Sequence, residues 1–229
     1  MAIAHQTGYA GELKQLIKTS PFVLAEHPFV EGISKGSLRI EQIRGWAIQD
    51  SHYRRAVPRL AMVRYLRCTD PEIQQRLAGV VAEESEGGQY GSSGHYDLFL
   101  RLAAAVGASP DEVNNSRPHA GPAAHIYWAE LIAWTLPWFV AMSAQLAGEG
   151  QFPAASGKLS GGMMEHYGLT REQVEFFDAH GEADQDHGSL AEDIVNRYIV
   201  TPELQAQARA VVQRKLELQW DMWSSFEAY

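Results

Sequence analysis

Three residues in the last third of the chain, His180, Asp184 and His187, stand at i, i+4 and i+7. On a helix of 3.6 residues per turn their side chains leave one face, stacked over two turns. Two imidazoles and a carboxylate are a donor set that suits iron, manganese or zinc, and helical bundles build di-metal centres by facing such sets across their core. The same segment carries Glu182 and Asp186, so spacing alone leaves a solvated acidic face open as the alternative.

A bundle di-metal centre takes about four carboxylates and two histidines from several helices. Further ligands must therefore come from elsewhere in the chain. Glu84 shares the inward helical phase of Ile73, Leu77 and Val80, whereas Glu83 and Glu86 are rotated away. Helix ends fray, and a solvated acidic run is the competing explanation. His95 opens a segment with Leu98, Phe99, Leu102 and Ala103 on its apolar side; a capping or core histidine is the plainer role there. Glu149 follows the most apolar stretch of the chain between Gly148 and Gly150. Glycines admit a close backbone approach that would swing a ligand inward, but Gly-Glu-Gly is also an ordinary helix-ending loop. His52 and Tyr53 are pocket candidates beside Trp46, and Glu130 lies among Trp128, Trp134 and Trp138, where a buried carboxylate needs a partner.

Helical signals position these residues, and no period-2 strand pattern is present. Expected helices run over Gly8–Thr19 and Leu38–Arg67, the latter with Pro58 as a kink, and from Pro71 to Glu86. Gly87–Gly94 reads as a loop and His95–Val106 as a helix, followed by capping boxes at Ser109-Pro110-Asp111-Glu112 and Thr170-Arg171-Glu172-Gln173. One apolar helix is expected from about Ala123 to Gly148-Glu149-Gly150, and Ser160-Gly161-Gly162 and Gly168 are read as interruptions after it. Thr201-Pro202 starts a last amphipathic helix through Leu216 and Trp223. The fold class is all-α, a bundle of about seven to nine helices in one domain over residues 1–229.

With 45% hydrophobic residues among 229 the chain can bury a sizeable core. A formal net charge of -9 argues against nucleic acid and against an anionic membrane surface as partners. The single cysteine, Cys68, excludes an internal disulfide framework and a thiolate zinc site, and leaves the cytoplasm as the default location. Met1–Ser20 holds Glu12, Lys14 and Lys18 with no apolar run, so no signal peptide is expected. The apolar stretch Ala123–Ala147 contains His125, Glu130, Pro137 and Gln145 and reads as a buried helix, not a membrane span.

The segment from Phe177 to His187 resembles the last ligand helix of the haem-oxygenase-like diiron oxidases, with its pattern of His, three residues, Asp, two residues, His. Gly148-Glu149-Gly150-Gln151-Phe152-Pro153 resembles the segment that supplies their middle glutamate, and Glu84 and His95 resemble their first glutamate and histidine. The stretches His27-Pro28-Phe29, Arg39 to Trp46 and Lys215 to Trp220 are similar to pyrroloquinoline quinone synthase and its relatives, including the self-sacrificing p-aminobenzoate synthases. The resemblance implies a haem-oxygenase-like helical bundle with Glu84, His95, Glu149, His180, Asp184 and His187 as ligands of two iron ions, or of manganese or a mixed Fe/Mn pair. It also implies O2 as co-substrate, an oxidase or oxygenase acting on a small organic metabolite, a biosynthetic setting, an external reductant and a homodimer. In the self-sacrificing branch a pocket tyrosine is consumed, which points to Tyr53 or Tyr90. The gap from Glu84 to His95 is longer than in the shortest family members and leaves Glu83 and Glu86 as alternative ligands. A metal-free quinone-synthase-like oxidase and a non-catalytic metal-binding helical protein are the rival readings.

Overall fold

The computed structural model describes residues 8–87 and 91–228; of residues 181–187 and 228 it describes the backbone alone. Capping residues and prolines set the helix starts. Asp70 accepts hydrogen bonds from the amides of Glu72 and Ile73 ahead of Pro71, Ser109 forms a reciprocal box with Glu112 ahead of Pro110, and Thr201 accepts from Leu204 ahead of Pro202. Each device satisfies amide groups that a helix N-terminus otherwise leaves unpaired. The helices in chain order are α1 Tyr9–Lys18, α2 Pro28–Ser34, α3 Ile40–Arg67, α4 Pro71–Glu86, α5 His95–Ala105, α6 Pro110–Asn115, α7 Ala120–Thr135, α8 Trp138–Ala141, α9 Ser143–Tyr167, α10 Glu175–Tyr198 and α11 Pro202–Ser224. The described residues form no strand, and eight of these helices are ten residues or longer. The all-α bundle matches the expectation.

The apolar stretch departs from it. Leu136 is extended (ψ 162) because the following Pro137 disfavours helical geometry in its neighbour, so α7 stops at Thr135 and α8 adds one turn before α9 begins. Gly148, Gly150, Pro153 and Ser160-Gly161-Gly162 do not end or interrupt helices; all lie inside α9, which stops at Gly168 with φ +71. Gly162 has a packing reason: a Cβ there would stand 2.5 Å from the carbonyl oxygen of Ile33, where α9 passes against α2. No helix of the described residues is long and apolar enough to cross a membrane.

Helices α9 and α10, joined by the short segment 168–174, pack along each other, while α3 lies against α4, α5 and α7, and α11 against α7 and α9. Two large hydrophobic clusters result among the described residues, with a small third one around Ile132, Val140, Ala144 and Val211. One is built on Trp46, Phe99, Phe176, Phe177 and Trp223, with Phe99 edge-on to Trp46 and Phe177 stacked on it. The other gathers Leu13, Ile73, Leu77, Leu190, Ile194 and Val212. Burying each large side chain contributes about 2 kcal/mol. Cys68 closes α3, buried, and burial pushes its thiol up, away from nucleophilic use. Glu130 finds its partner in Arg59.

His27 caps α2: its Nδ1 accepts from the Phe29 amide at 3.1 Å, its Nε2 lies 3.0 Å from Ser224 Oγ, and its ring packs edge-on against Trp220. Burial pushes this imidazole down to about 4. The unfolded chain takes up this proton near pH 6.5, so the cap's contribution is complete above that pH and is lost as pH falls toward 4. His27→Asn keeps a capping acceptor but does not titrate. Denaturant unfolding of the two proteins between pH 6.5 and 4 should show a smaller loss of stability in the variant; parallel losses would refute the assignment.

Candidate metal centre

The last turn of α4 turns two carboxylates inward. Glu83 and Glu84 are both buried, while Glu86 is exposed. Glu83 is therefore not rotated away as its phase suggests, but Glu84 makes the close contact. Its Oε2 lies 3.0 Å from His95 Nδ1, whereas Glu83 Oε1 lies 3.9 Å from His95 Nε2. His95 is the first residue of α5, placed there by Gly94, whose missing side chain lets the chain pass the end of α4: a Cβ would stand 2.3 Å from the carbonyl oxygen of Ser85.

From α10, His180 brings its ring within 4.2 Å of the His95 ring, centroid to centroid. Its Nδ1 donates to the Phe176 carbonyl at 2.9 Å, one turn back, which fixes the tautomer and leaves Nε2 as the lone-pair nitrogen. Burial pushes His180 down to about 3, with the neighbouring His95 adding to the fall and Glu84 opposing it. The fall favours the neutral ring, the state a metal requires. One donor atom each from Glu84, His95 and His180 lies within 4.8 Å of the others, and all three residues are buried.

Glu149 is buried too, in the first third of α9 and not at a helix end. Gln145, one turn earlier, donates to its Oε1. Glu149 lines the same cavity, of about 80 Å³, as Glu84 and His180. Phe152 and Phe176 flank His180, with ring centroids 5.4 and 4.3 Å from it. Asp184 and His187 follow on α10, but their side chains lie outside the described residues, as does Tyr90 altogether. Tyr53 lines the cavity, stacked on His125, whereas His52 turns to Ser116.

The residues present fit a metal ion. Two imidazoles and carboxylates converge, and His95 Nε2 is a buried nitrogen with no hydrogen-bond partner among the described residues. Such an atom is costly to bury unless something pairs with it. The sequence reading passed over several cavity residues: Arg54, His125, Gln145 and Lys215 as site residues. Arg54 stands four residues after Asp50 and eight after Trp46, both buried, and Lys215 keeps the inward phase of Val211, Val212 and Gln219. A charged residue in an inward phase was the available signal for both.

Comparison with known proteins agrees with this geometry. A family described as "Iron-containing redox enzyme" matches residues 44–220. The chain is 28% identical over 167 residues to the 4-aminobenzoate synthase of Chlamydia muridarum, covering 72% of this chain and 68% of that one. It is 23% identical over 211 residues to the pyrroloquinoline-quinone synthase of Klebsiella pneumoniae, covering 88% and 80%. A solved domain of heme oxygenase-like fold from Shewanella denitrificans superposes with a TM-score of 0.80 at 17% identity, covering 100% of this chain and 94% of the other. The fold is thus haem-oxygenase-like, and by the extent of the match the chain belongs to the family of iron-containing redox enzymes.

Proposed function

We propose that this protein is a non-haem diiron oxidase or oxygenase that uses O2 to oxidise a small organic metabolite. The carrying observation is the buried convergence of Glu84, His95 and His180, of which Glu84 and His180 line a cavity that Glu149 also lines. Asp184 and His187, one and two turns beyond His180 along α10, would complete six ligands. Two iron ions in this set would supply the electrons and the open positions needed to activate O2, a role that manganese or a mixed pair also fits.

The chain's own residues do the remaining work. Glu84 and Glu149 bring negative charge to a core that would otherwise repel two cations. The Phe176 carbonyl holds the His180 ring in one orientation, and Phe152 and Phe176 keep water from it. The cavity beside them, with Tyr53 and Trp223 in its wall, is the place for the substrate. An external reductant is required where the substrate does not supply all the electrons that reduce O2 to water.

Anaerobic loading of the full chain with Fe(II) should leave about two irons bound per chain. His180→Ala and Asp184→Ala should each lose iron and the O2 uptake that follows exposure to air. A parent chain that retains no iron, or a His180→Ala protein that consumes O2 as fast as the parent, would overturn the proposal. The junction of α4 and α5 gives a second test. In Gly94→Ala the new methyl meets backbone, not a yielding side chain, so the helices carrying Glu84 and His95 must part. Stability should fall by more than about 1 kcal/mol and Fe(II) affinity by at least about tenfold. Unchanged Fe(II) titration curves would show that this junction does not set the ligand geometry.

A further inference from the structure

Arg54 is 7% exposed in the middle of α3, yet among the described residues only one of its three guanidinium nitrogens has a hydrogen-bond partner. Its Nε donates to Oδ2 of the fully buried Asp50 at 2.8 Å, and among the described residues neither Nη group has a hydrogen-bond partner. The guanidinium carbon stands 4.8 Å from the Phe152 ring centroid and 4.9 Å from that of Phe176, the two rings that flank His180. The ion pair and the aromatic contacts hold the guanidinium in place. Arg54 lines the cavity shared by Glu84, Glu149 and His180.

A second basic side chain faces the same space. Lys215 is 6% exposed and makes no salt bridge among the described residues; its Nζ lies 2.7 Å from His125 Nε2 and 3.3 Å from the Tyr53 hydroxyl. It passes against Gly148, where a Cβ would stand 3.4 Å from Lys215 Cε, one residue before Glu149. Asp50 is taken by Arg54, and the carboxylates on the cavity wall, Glu84 and Glu149, are the ones assigned to metal. Three basic side chains, Arg54, Arg64 and Lys215, thus line a wall whose own carboxylates are the ones assigned to metal.

We propose that Arg54 is the substrate anchor: its two Nη groups take the carboxylate of a small organic acid, and Lys215 completes the charge balance. The planar fork of Nη donors matches the two oxygens of a carboxylate, which a lone ammonium does not. The acid's remaining carbons then lie toward Glu84, His95 and His180. This inference rests on the cavity being the substrate site of the proposed oxidase, and it names the class of substrate that site accepts.

The test measures binding by isothermal calorimetry to the full chain, before and after Fe(II) loading. The probes are acetate, butyrate and benzoate, each against its own amide, with bound iron counted in every sample. At least one acid should bind about tenfold or more tightly than its amide in both states. Arg54→Met should abolish that preference while iron per chain stays at the parent's value, and Arg54→Lys, which keeps the charge without the fork, should restore part of it. Where Arg54→Met does not fold, a weakened preference in Arg54→Lys carries the result. Acid and amide binding alike in the parent, neither binding at all, or a preference that survives Arg54→Met would overturn the proposal. So would a preference that appears only with iron, since the metal would then hold the acid. Loss of iron binding with the acid preference intact would count against the diiron reading alone.

Discussion

A carboxylate and two imidazoles held together inside a phenylalanine-walled core is the constraint that the rest of the molecule serves. Ionisable and polar groups resist such a place unless they are paired. Glu84 meets His95 at 3.0 Å, and His180 spends its Nδ1 on the Phe176 carbonyl of its own helix. Those contacts settle half of each imidazole and leave His95 Nε2 without a hydrogen bond among the described residues. An arrangement of this kind gains little stability for the protein alone. It makes sense as a pre-arranged receptor for a cation, with the cost of ordering the donors met by the folding of the bundle.

The bundle is divided accordingly. Glu149 lies between Ala147 of one hydrophobic cluster and Phe152 of the other, and His180 follows Ala179 of the first while Leu190 further along α10 belongs to the second. Glu84 is reached past Ile73 and Leu77 of the second cluster. The polar centre thus lies on the seam between two apolar bodies, and α9 and α10 each run from one body to the other across it. On α9 and α10 packed apolar residues lie on both sides of the polar residue, whereas Glu84 and His95 stand at the end of α4 and the start of α5, each held by packing on one side.

Much of this was legible beforehand, and for identifiable reasons. Glu84 emerged from the phase it shares with Ile73 and Leu77, because burial of a helix follows its 3.6-residue period. The starts at Pro71, Pro110 and Pro202 were readable because proline and its capping neighbour act locally. The segment from Ala123 to Tyr167 was misread because the usual punctuation gave the opposite result. Pro137 broke the helix, whereas Gly148, Gly150 and Pro153 sit within one. Glycine and proline disfavour a helix by amounts that tertiary packing against α10 and α2 overrides. Arg54 and Lys215 escaped notice as site residues because a charged side chain in an inward phase has no meaning until the opposing helices are known.

The two prolines inside helices have a further significance. Proline offers no amide to the carbonyl four residues before it. For Pro153 that carbonyl is Glu149's, and for Pro58 it is Arg54's. The helical ladder thus lacks a rung at the glutamate assigned to metal and at the arginine assigned to substrate, within helices of 25 and 28 residues that are otherwise continuous. Compliance is concentrated at two points on the cavity wall. A structure that is stiff along its helices can adjust there, at the two residues to which the proposed function assigns metal and substrate.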